Sequence, residues 1–536
     1  MMKKQCCSHF TLKISRAAIC DGAGGPYVEG DIGIKDDRIA EIGDLSRKSA
    51  DKEIDGRGLV AAPGFIDIHS HTDETILINP RSESKIRQGV TTEVAGNCGC
   101  SPAPLYGEFL EDYRAETLQR YNLDISWQSC GDYFSTIERS GTGVNYIMLA
   151  GNGNLRGKVT GFKNRPLSQE DREDMKRCLA ESMEAGAWGL SSGLIYAPSS
   201  FADIDELADL ASVAASYGGL YATHMRGEGD TLLEALDEAL KVAERSGAAL
   251  EVSHLKAAKK KNWHKLDSAL EKLGEAALRI PAGCDVYPYP ASSTGLDSMF
   301  PGWLKDEGKE QFLRNLADCG IRKRIACEIE SEKSMEWSDV MISSLQGKDH
   351  LRLEGLRLSE AAAVTGKAPL DLALDLLIES EGNVSAIFFT QSEENVCKVL
   401  THPLSVVGSD ATARIPHGPL AEDLPHPRAY GTFPRVLGHY VRGKKLLSLE
   451  KAVSKMTAIP ATRLGLARRG LLREGYCADV VLFDPDRIRD CSTYMEPHRY
   501  PEGIPHVIVN GRAAVEDGEH TGVLAGRVLR RTAEGR

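Results

Sequence analysis

Residues 63–73 read PGFIDIHSHTD. The spacing predicts a short buried strand over residues 65–71, entered through the Pro63-Gly64 break. With side chains alternating at period two, Ile66 and Ile68 point one way and Asp67, His69 and His71 the other. Two imidazoles two residues apart at the end of an apolar strand can grip one metal ion from the same side. An isolated HxH carries little weight on its own. Its meaning depends on how many further ligand-type residues close other strands downstream.

Seven more apolar runs follow: TTEVAG (91–96), NYIMLAG (145–151), WGLSSGL (188–194), LYATHM (220–225), LEVSHL (250–255), CDVYPYP (284–290) and SVVGSDA (405–411). Amphipathic stretches separate them. Residues 167–186 carry a Ser cap and a Gly stop, and residues 230–247 end in Gly. Strands alternating with helices predict βα units and a parallel sheet, and eight runs are the number a (β/α)8 barrel needs. Residues 291–404, between the seventh and eighth runs, are far too many for an ordinary βα connection. They are expected to form a substrate lid with flanking helices. Both ends of the chain are β-rich, at 10–61 and again at 478–515, where Asn510-Gly511 signals a hairpin. The expected architecture is α/β: a distorted TIM-like barrel over 62–466 and a small β-sandwich built from 1–61 and 467–536.

Ligand-type residues recur at the ends of these runs. The first run offers His69 and His71, and Cys98 follows the second. His224 ends the fifth, His254 the sixth and Asp410 the eighth. Taken singly, a histidine in ATHM or VSHL is an ordinary hydrogen-bonded core residue, and Asp410 an ordinary cap. In a barrel, however, the carboxyl ends of all strands converge on one face, so six such side chains aim at one spot, which points to a metal site. Cys100 reads as a small buried hydrophobe, as do most of the other cysteines.

Composition narrows the function classes. The 536 residues are 42% hydrophobic, and 65 Lys+Arg against 77 Asp+Glu leave a net charge of −12. No basic run suggests nucleic acid, and no stretch approaches the ~18 uninterrupted apolar residues of a membrane helix. The first residues, MMKKQCCSHFTLKISRA, lack the apolar core of a secretory signal. The 13 cysteines are odd in number and without zinc-finger spacing, which points to reduced thiols in a cytoplasmic protein. The sequence leaves the oligomeric state open.

Taken together, PGFIDIHSHTD, GVTTEVAGNCG, GLSSGLIYAP, ATHMRGEGD, EVSHLK, DVYPYPASST, VGSDA, HPRAYGTFPRVLGHYVR and KMTAIPATRLGL resemble the metal-dependent amidohydrolase superfamily and, within it, the D-aminoacylases (N-acyl-D-amino-acid deacylases). The likeness extends over nearly the whole chain. It implies zinc, with Cys98, His224 and His254 as a tight site. His69, His71 and Asp410 would form a second, weaker site that shares Cys98 as its bridge. Many relatives bridge two metals with a carboxylated lysine on the fourth strand; WGLSSGL has none, so Cys98 must supply the anionic bridge. The resemblance also implies Tyr196, Lys256, Tyr287, Ser293 and Arg428 as substrate-binding residues, with Lys256 and Arg428 on the substrate carboxylate. Lys256 shares a strand face with His254 by the i, i+2 rule. The implied reaction is hydrolysis of the linear amide of an N-acyl-D-amino acid. A metal-bound hydroxide is the nucleophile and Asp410 the general acid/base. The competing readings are a related amidohydrolase acting on a cyclic amide or another N-acyl amine, and a non-catalytic barrel used as a scaffold.

Overall fold

The computed structural model describes residues 9–332, 335–345 and 351–531. Each of the eight runs contains a parallel strand. Phe65–Asp67, Val90–Ala95 and Asn145–Met148 form one three-stranded sheet. Ala150–Gly151, Gly189–Gly193, Leu220–His224, Ala249–Val252, Ala282–Val286 and Ser405–Val407 form a six-stranded one. The third run crosses from the first sheet to the second at Leu149, whose N–H still bonds Ala95 O at 2.9 Å. The two outer edges meet through a single parallel bridge, Ser70 to Ala411. Among the described residues the strands therefore make two sheets and no continuous closed ladder.

Period-two alternation sorts these strands as fully buried parallel strands require. Ile66, Ile68, Val94, Ile147, Leu149, Leu220, Ala222 and Val406 pack into one apolar cluster. Their neighbours Phe65, Tyr146, Met148, Leu190, Tyr221 and Leu250 join the larger core that the helices cover. The helix Gln169–Ala185 opens on a Ser168–Asp171 capping box and stops at left-handed Gly186. The helix Leu232–Ser246 buries Leu232, Ala235, Leu236, Ala239, Leu240 and Ala243, a stripe at helical spacing.

The first strand is shorter than its sequence predicts. It ends at Asp67 instead of continuing to residue 71. The Asp67 carboxylate accepts the backbone N–H of Ser409 at 2.8 Å and lies 3.4 Å from that of His69, so a side chain competes with the regular ladder. Strict alternation stops there: Asp67 is taken by Lys85, whereas His69 and His71 turn toward Asp410.

Strands from both chain ends share one mixed nine-stranded sheet. Val60–Pro63 pairs antiparallel with Val480–Phe483, which joins the N-terminal strands to the C-terminal ones. Asn510 and Gly511 both have positive φ, 45° and 78°, between His506–Val509 and Arg512–Glu516. The long stretch after the seventh run holds its own antiparallel sheet, with Val384–Phe388 between Ser292–Gly295 and Val340–Leu345. A separate apolar cluster including Leu296, Phe300, Leu304, Phe312 and Leu377 supports it.

Candidate active site

A cavity of about 940 Å³ opens at the carboxyl ends of the parallel strands. Among the sequence-predicted residues, His71, Cys98, Tyr196, His224, His254, Lys256, Tyr287, Ser293, Asp410 and Arg428 all line it. His69 lies immediately behind them, fully buried.

The ligand-type side chains fall into two groups that share Cys98. One ligand atom each from Cys98, His224 and His254 lie within 4.8 Å of one another, and so do one each from His69, His71, Cys98 and Asp410. Cys98 Sγ is 3.4 Å from His69 Nε2 and 3.6 Å from His254 Nε2. Asp410 Oδ1 is 3.3 Å from His69 Nε2 and 3.1 Å from His71 Nε2. Both ring nitrogens of His224 are buried and without a hydrogen-bond partner. A buried imidazole with two orphaned nitrogens, beside a thiol and a second imidazole, fits a thiophilic cation.

Electrostatics agree with that donor set. Burial opposes ionisation of Cys98, but the charge on His69 and the contacts of its sulfur with the rings of His69 and His254 outweigh it and hold the thiol well below its ordinary range. Asp410 behaves alike. Against its burial, Arg428, His254, His69 and His71 keep the carboxyl ionised well below the usual carboxylate range. Cys98, His254 and Asp410 all hold left-handed backbone, with φ of 53°, 37° and 52°. Such conformations in non-glycine residues gather at functional sites.

Close backbone packing seats the Cys98 loop. A Cβ on Gly193 would fall 1.9 Å from Cys98 O, and one on Gly99 2.4 Å from Gly193 N. Gly193→Ala should therefore push Cys98 off its position. The expected result is a folded protein, destabilised by about 1–3 kcal/mol, that no longer retains tightly bound metal. Elemental analysis alongside a thermal melt checks this.

The cations of the cavity are already paired. Arg428 Nη1 lies 2.7 Å from Asp410 Oδ2, at an angle too bent for a hydrogen bond, and Nη2 donates to Ser293 O at 3.1 Å. Lys256 forms an ion pair with Glu228 and sits 2.8 Å from His254 Nδ1. Tyr287 carries Arg428 over its ring at 4.6 Å and accepts Gln391 Nε2 at 2.9 Å. Tyr196 Oη meets Thr294 Oγ1 at 2.8 Å, and its ring is edge-on to His224.

Sequence reasoning missed two residues that set this geometry. Asp285 holds His69 Nδ1 at 3.0 Å, which leaves Nε2 facing Cys98, and also accepts His254 N–H at 2.9 Å. Its only signal was a carboxylate inside the apolar seventh run. Glu228 contacts His254 Nδ1 at 3.0 Å besides Lys256. Cys100 corrects an expectation: it is exposed and lines the cavity instead of packing in the core, because the loop turns through left-handed Gly99.

Residues 52–299 and 349–515 match the model of an amidohydrolase family, Amidohydro_3. The chain is 37% identical to the N-acyl-D-glutamate deacylase of Alcaligenes xylosoxydans xylosoxydans, with 97% of each chain covered. It is 34% identical to the D-aminoacylase of the same organism, covering 98% of each. The crystal structure of N-acyl-D-glutamate deacylase from Bordetella bronchiseptica, complexed with zinc and a phosphonate mimic of the tetrahedral intermediate, superposes with a TM-score of 0.81. Identity is 33%, over 98% of this chain and all of that one. The two-metal donor geometry, the α/β fold and these full-length likenesses lead to one assignment: the chain belongs to the amidohydrolase family, in its D-aminoacylase (N-acyl-D-amino-acid deacylase) branch.

Proposed function

We propose that this protein is a zinc-dependent deacylase that hydrolyses the linear amide of N-acyl-D-amino acids to a carboxylate and a free D-amino acid. The observation that carries the reading is the buried Cys98 thiol shared by two groups of ligand atoms at one cavity, with Asp410 at its edge. Cys98, His224 and His254 would hold the tight zinc, and His69, His71 and Asp410 a weaker second one that also shares Cys98. Bound zinc supplies a Lewis acid for the amide carbonyl and for water.

The rest is done by side chains. Asp410 accepts a proton from the attacking water and returns it to the leaving nitrogen as the C–N bond breaks. Its neighbours keep the carboxyl ionised, the form that can accept a proton. Tyr196, which lines the cavity, polarises the acyl oxygen. Lys256 and Arg428 hold the α-carboxylate, and Tyr287 and Ser293 shape the space between them. Because Lys256 is paired with Glu228 and Arg428 with Asp410, the substrate carboxylate joins existing ion pairs instead of meeting bare cations.

The reading of the architecture goes with it. The eight runs in order, with the Ser70–Ala411 bridge between first and eighth, support a distorted (β/α)8 barrel over 62–466. The sheet shared by both chain ends, with the apolar cluster of Ile14, Ile32, Ile34, Val480 and Ile508 between its strands, supports a small β-sandwich from 1–61 and 467–536. Met299, Pro301 and Trp337 reach the cavity from the 291–404 stretch, which supports its reading as a lid. No helix among the described residues is long and apolar enough to cross a membrane. Every described cysteine is a free thiol, which supports a cytoplasmic location.

The test is a hydrolysis panel of N-acetyl-D- and N-acetyl-L-amino acids with zinc measured on the same preparation. Turnover restricted to D-substrates by zinc-loaded protein is expected; zinc-loaded protein inert to every N-acyl-D-amino acid refutes the reading. Arg428→Ala should raise KM for N-acyl-D-amino acids by roughly tenfold to a hundredfold, the worth of a charge-assisted contact. N-acyl amines, which lack the carboxylate, should show a far smaller change. Equal losses on both would make Arg428 structural.

A further inference from the structure

Lys85 is a fully buried lysine outside the cavity lining, on the short helix Glu83–Ile86. Its Nζ donates to Asp67 Oδ2 at 2.8 Å, Ser409 Oγ at 2.7 Å and Ala411 O at 2.7 Å, and lies 3.3 Å from Glu93 Oε1. Asp67, Glu93 and Ser409 are themselves fully buried. Asp67 completes the ring by accepting Ser409 N–H at 2.8 Å and Ser409 Oγ at 2.6 Å. Glu93 accepts Ser70 Oγ and Thr72 Oγ1, each at 2.7 Å. The cluster thus joins the first, second and eighth runs at the seam where, among the described residues, the two parallel sheets pair through the Ser70–Ala411 bridge and its flanking backbone bonds.

Both chain neighbours of Asp410 are bound by this cluster: Ser409 by Lys85 and Asp67, Ala411 by Lys85. Asp410 itself donates its N–H to His69 O at 2.7 Å and sits at a φ of +52°. That conformation persists in a non-glycine residue when the surroundings over-determine it. A buried ammonium is kept only where several acceptors satisfy it, and here they are the ends of the strands that carry His69, His71 and Asp410.

We infer that Lys85, with Asp67 and Ser409, is a positioning device for Asp410, reinforcing the one-bridge pairing of the first and eighth runs and aiming the carboxylate into the cavity. This rests on the reading of Asp410 as the acid/base. The Cys98, His224 and His254 group lies outside the clamp, so loss of the clamp acts on the proton shuttle and leaves the tight metal.

The test uses the zinc-loaded full chain and two backgrounds. Lys85→Met keeps the length and apolar stem of the side chain. It should lower kcat about a hundredfold, the scale of a displaced catalytic group, with KM within about threefold and tight zinc retained. In an Asp410→Asn background the same change should cost nothing more, because a residue acting only through Asp410 has nothing left to position. A purely structural lysine would cost activity in both backgrounds. Should Lys85→Met fail to fold, Ser409→Ala, which removes only the hydroxyl link, decides by the same two measurements, with an expected kcat loss of about tenfold. Near-native kcat in the folded variant, or an equal further loss in the Asp410→Asn background, overturns the inference. If Asp410→Asn alone turns over at near-native rate, the acid–base reading falls as well; if it is inactive while the clamp variant is native, the clamp alone falls.

Discussion

Asp410→Asn lowers kcat by at least ~10²–10⁴-fold with little change in KM, the range that general acid–base catalysis supplies. Asparagine keeps the shape and one oxygen acceptor, so the left-handed backbone at 410 and its N–H bond to His69 O survive. Cys98, His224 and His254 do not use this carboxylate, so tightly bound zinc stays. The pH–rate profile is a second check. Arg428 and three neighbouring histidines hold the Asp410 carboxyl below the usual carboxylate range. A depressed carboxyl is a base above its own pKa, and its activity fades as pH falls through that value. The acidic limb should therefore lie at unusually low pH in the native protein and be absent from the residual activity of the variant. Loss of the tight zinc would make Asp410 chiefly a ligand, and near-native turnover would move the proton shuttle to another residue.

Cys98→Ala removes metal and activity together. The thiol is the one group common to both sets of ligand atoms, and its depressed proton affinity supplies the anionic charge that balances a divalent cation there. With it gone, His224 and His254 remain as neutral ligands, and His69 and His71 keep only Asp410. Elemental analysis should find less than stoichiometric zinc after dialysis, and hydrolysis should fall to the detection limit. Because Cys98 is buried at 7% exposure and alanine is small and apolar, the thermal unfolding midpoint in the absence of metal should hardly move. Stoichiometric zinc with near-native turnover would show that another group bridges the two sites.

The chain's periodicities carry most of the fold at short range. Buried parallel strands need near-continuous apolar runs, helices need i, i+3, i+4 stripes, and a hairpin such as the one at Asn510-Gly511 needs residues that tolerate positive φ. Each requirement is met within a few residues, so each is visible along the chain. The same holds for the six ligand-type side chains. They stand at the carboxyl ends of the first, second, fifth, sixth and eighth runs, and parallel topology brings those ends together whatever the details between.

What the linear pattern conceals is pairing across long separations. Nothing near Arg428 in sequence announces that it lies against Asp410, nor does the sequence around Lys256 announce Glu228. The Asp285–His69 contact spans 216 positions, and Lys85 reaches Ser409 across 324. Such contacts repeat with no period and obey no local propensity, since they depend on where separate strands end in space. The sequence alone determined the α/β class, the order of the strands and the residues able to bind metal. Only the tertiary structure decided where the first strand stops, which ring nitrogen His69 turns toward Cys98, which cations are already paired and what holds Asp410. A hydrogen bond or ion pair between distant residues exists only once the backbone has brought them within about 3 Å.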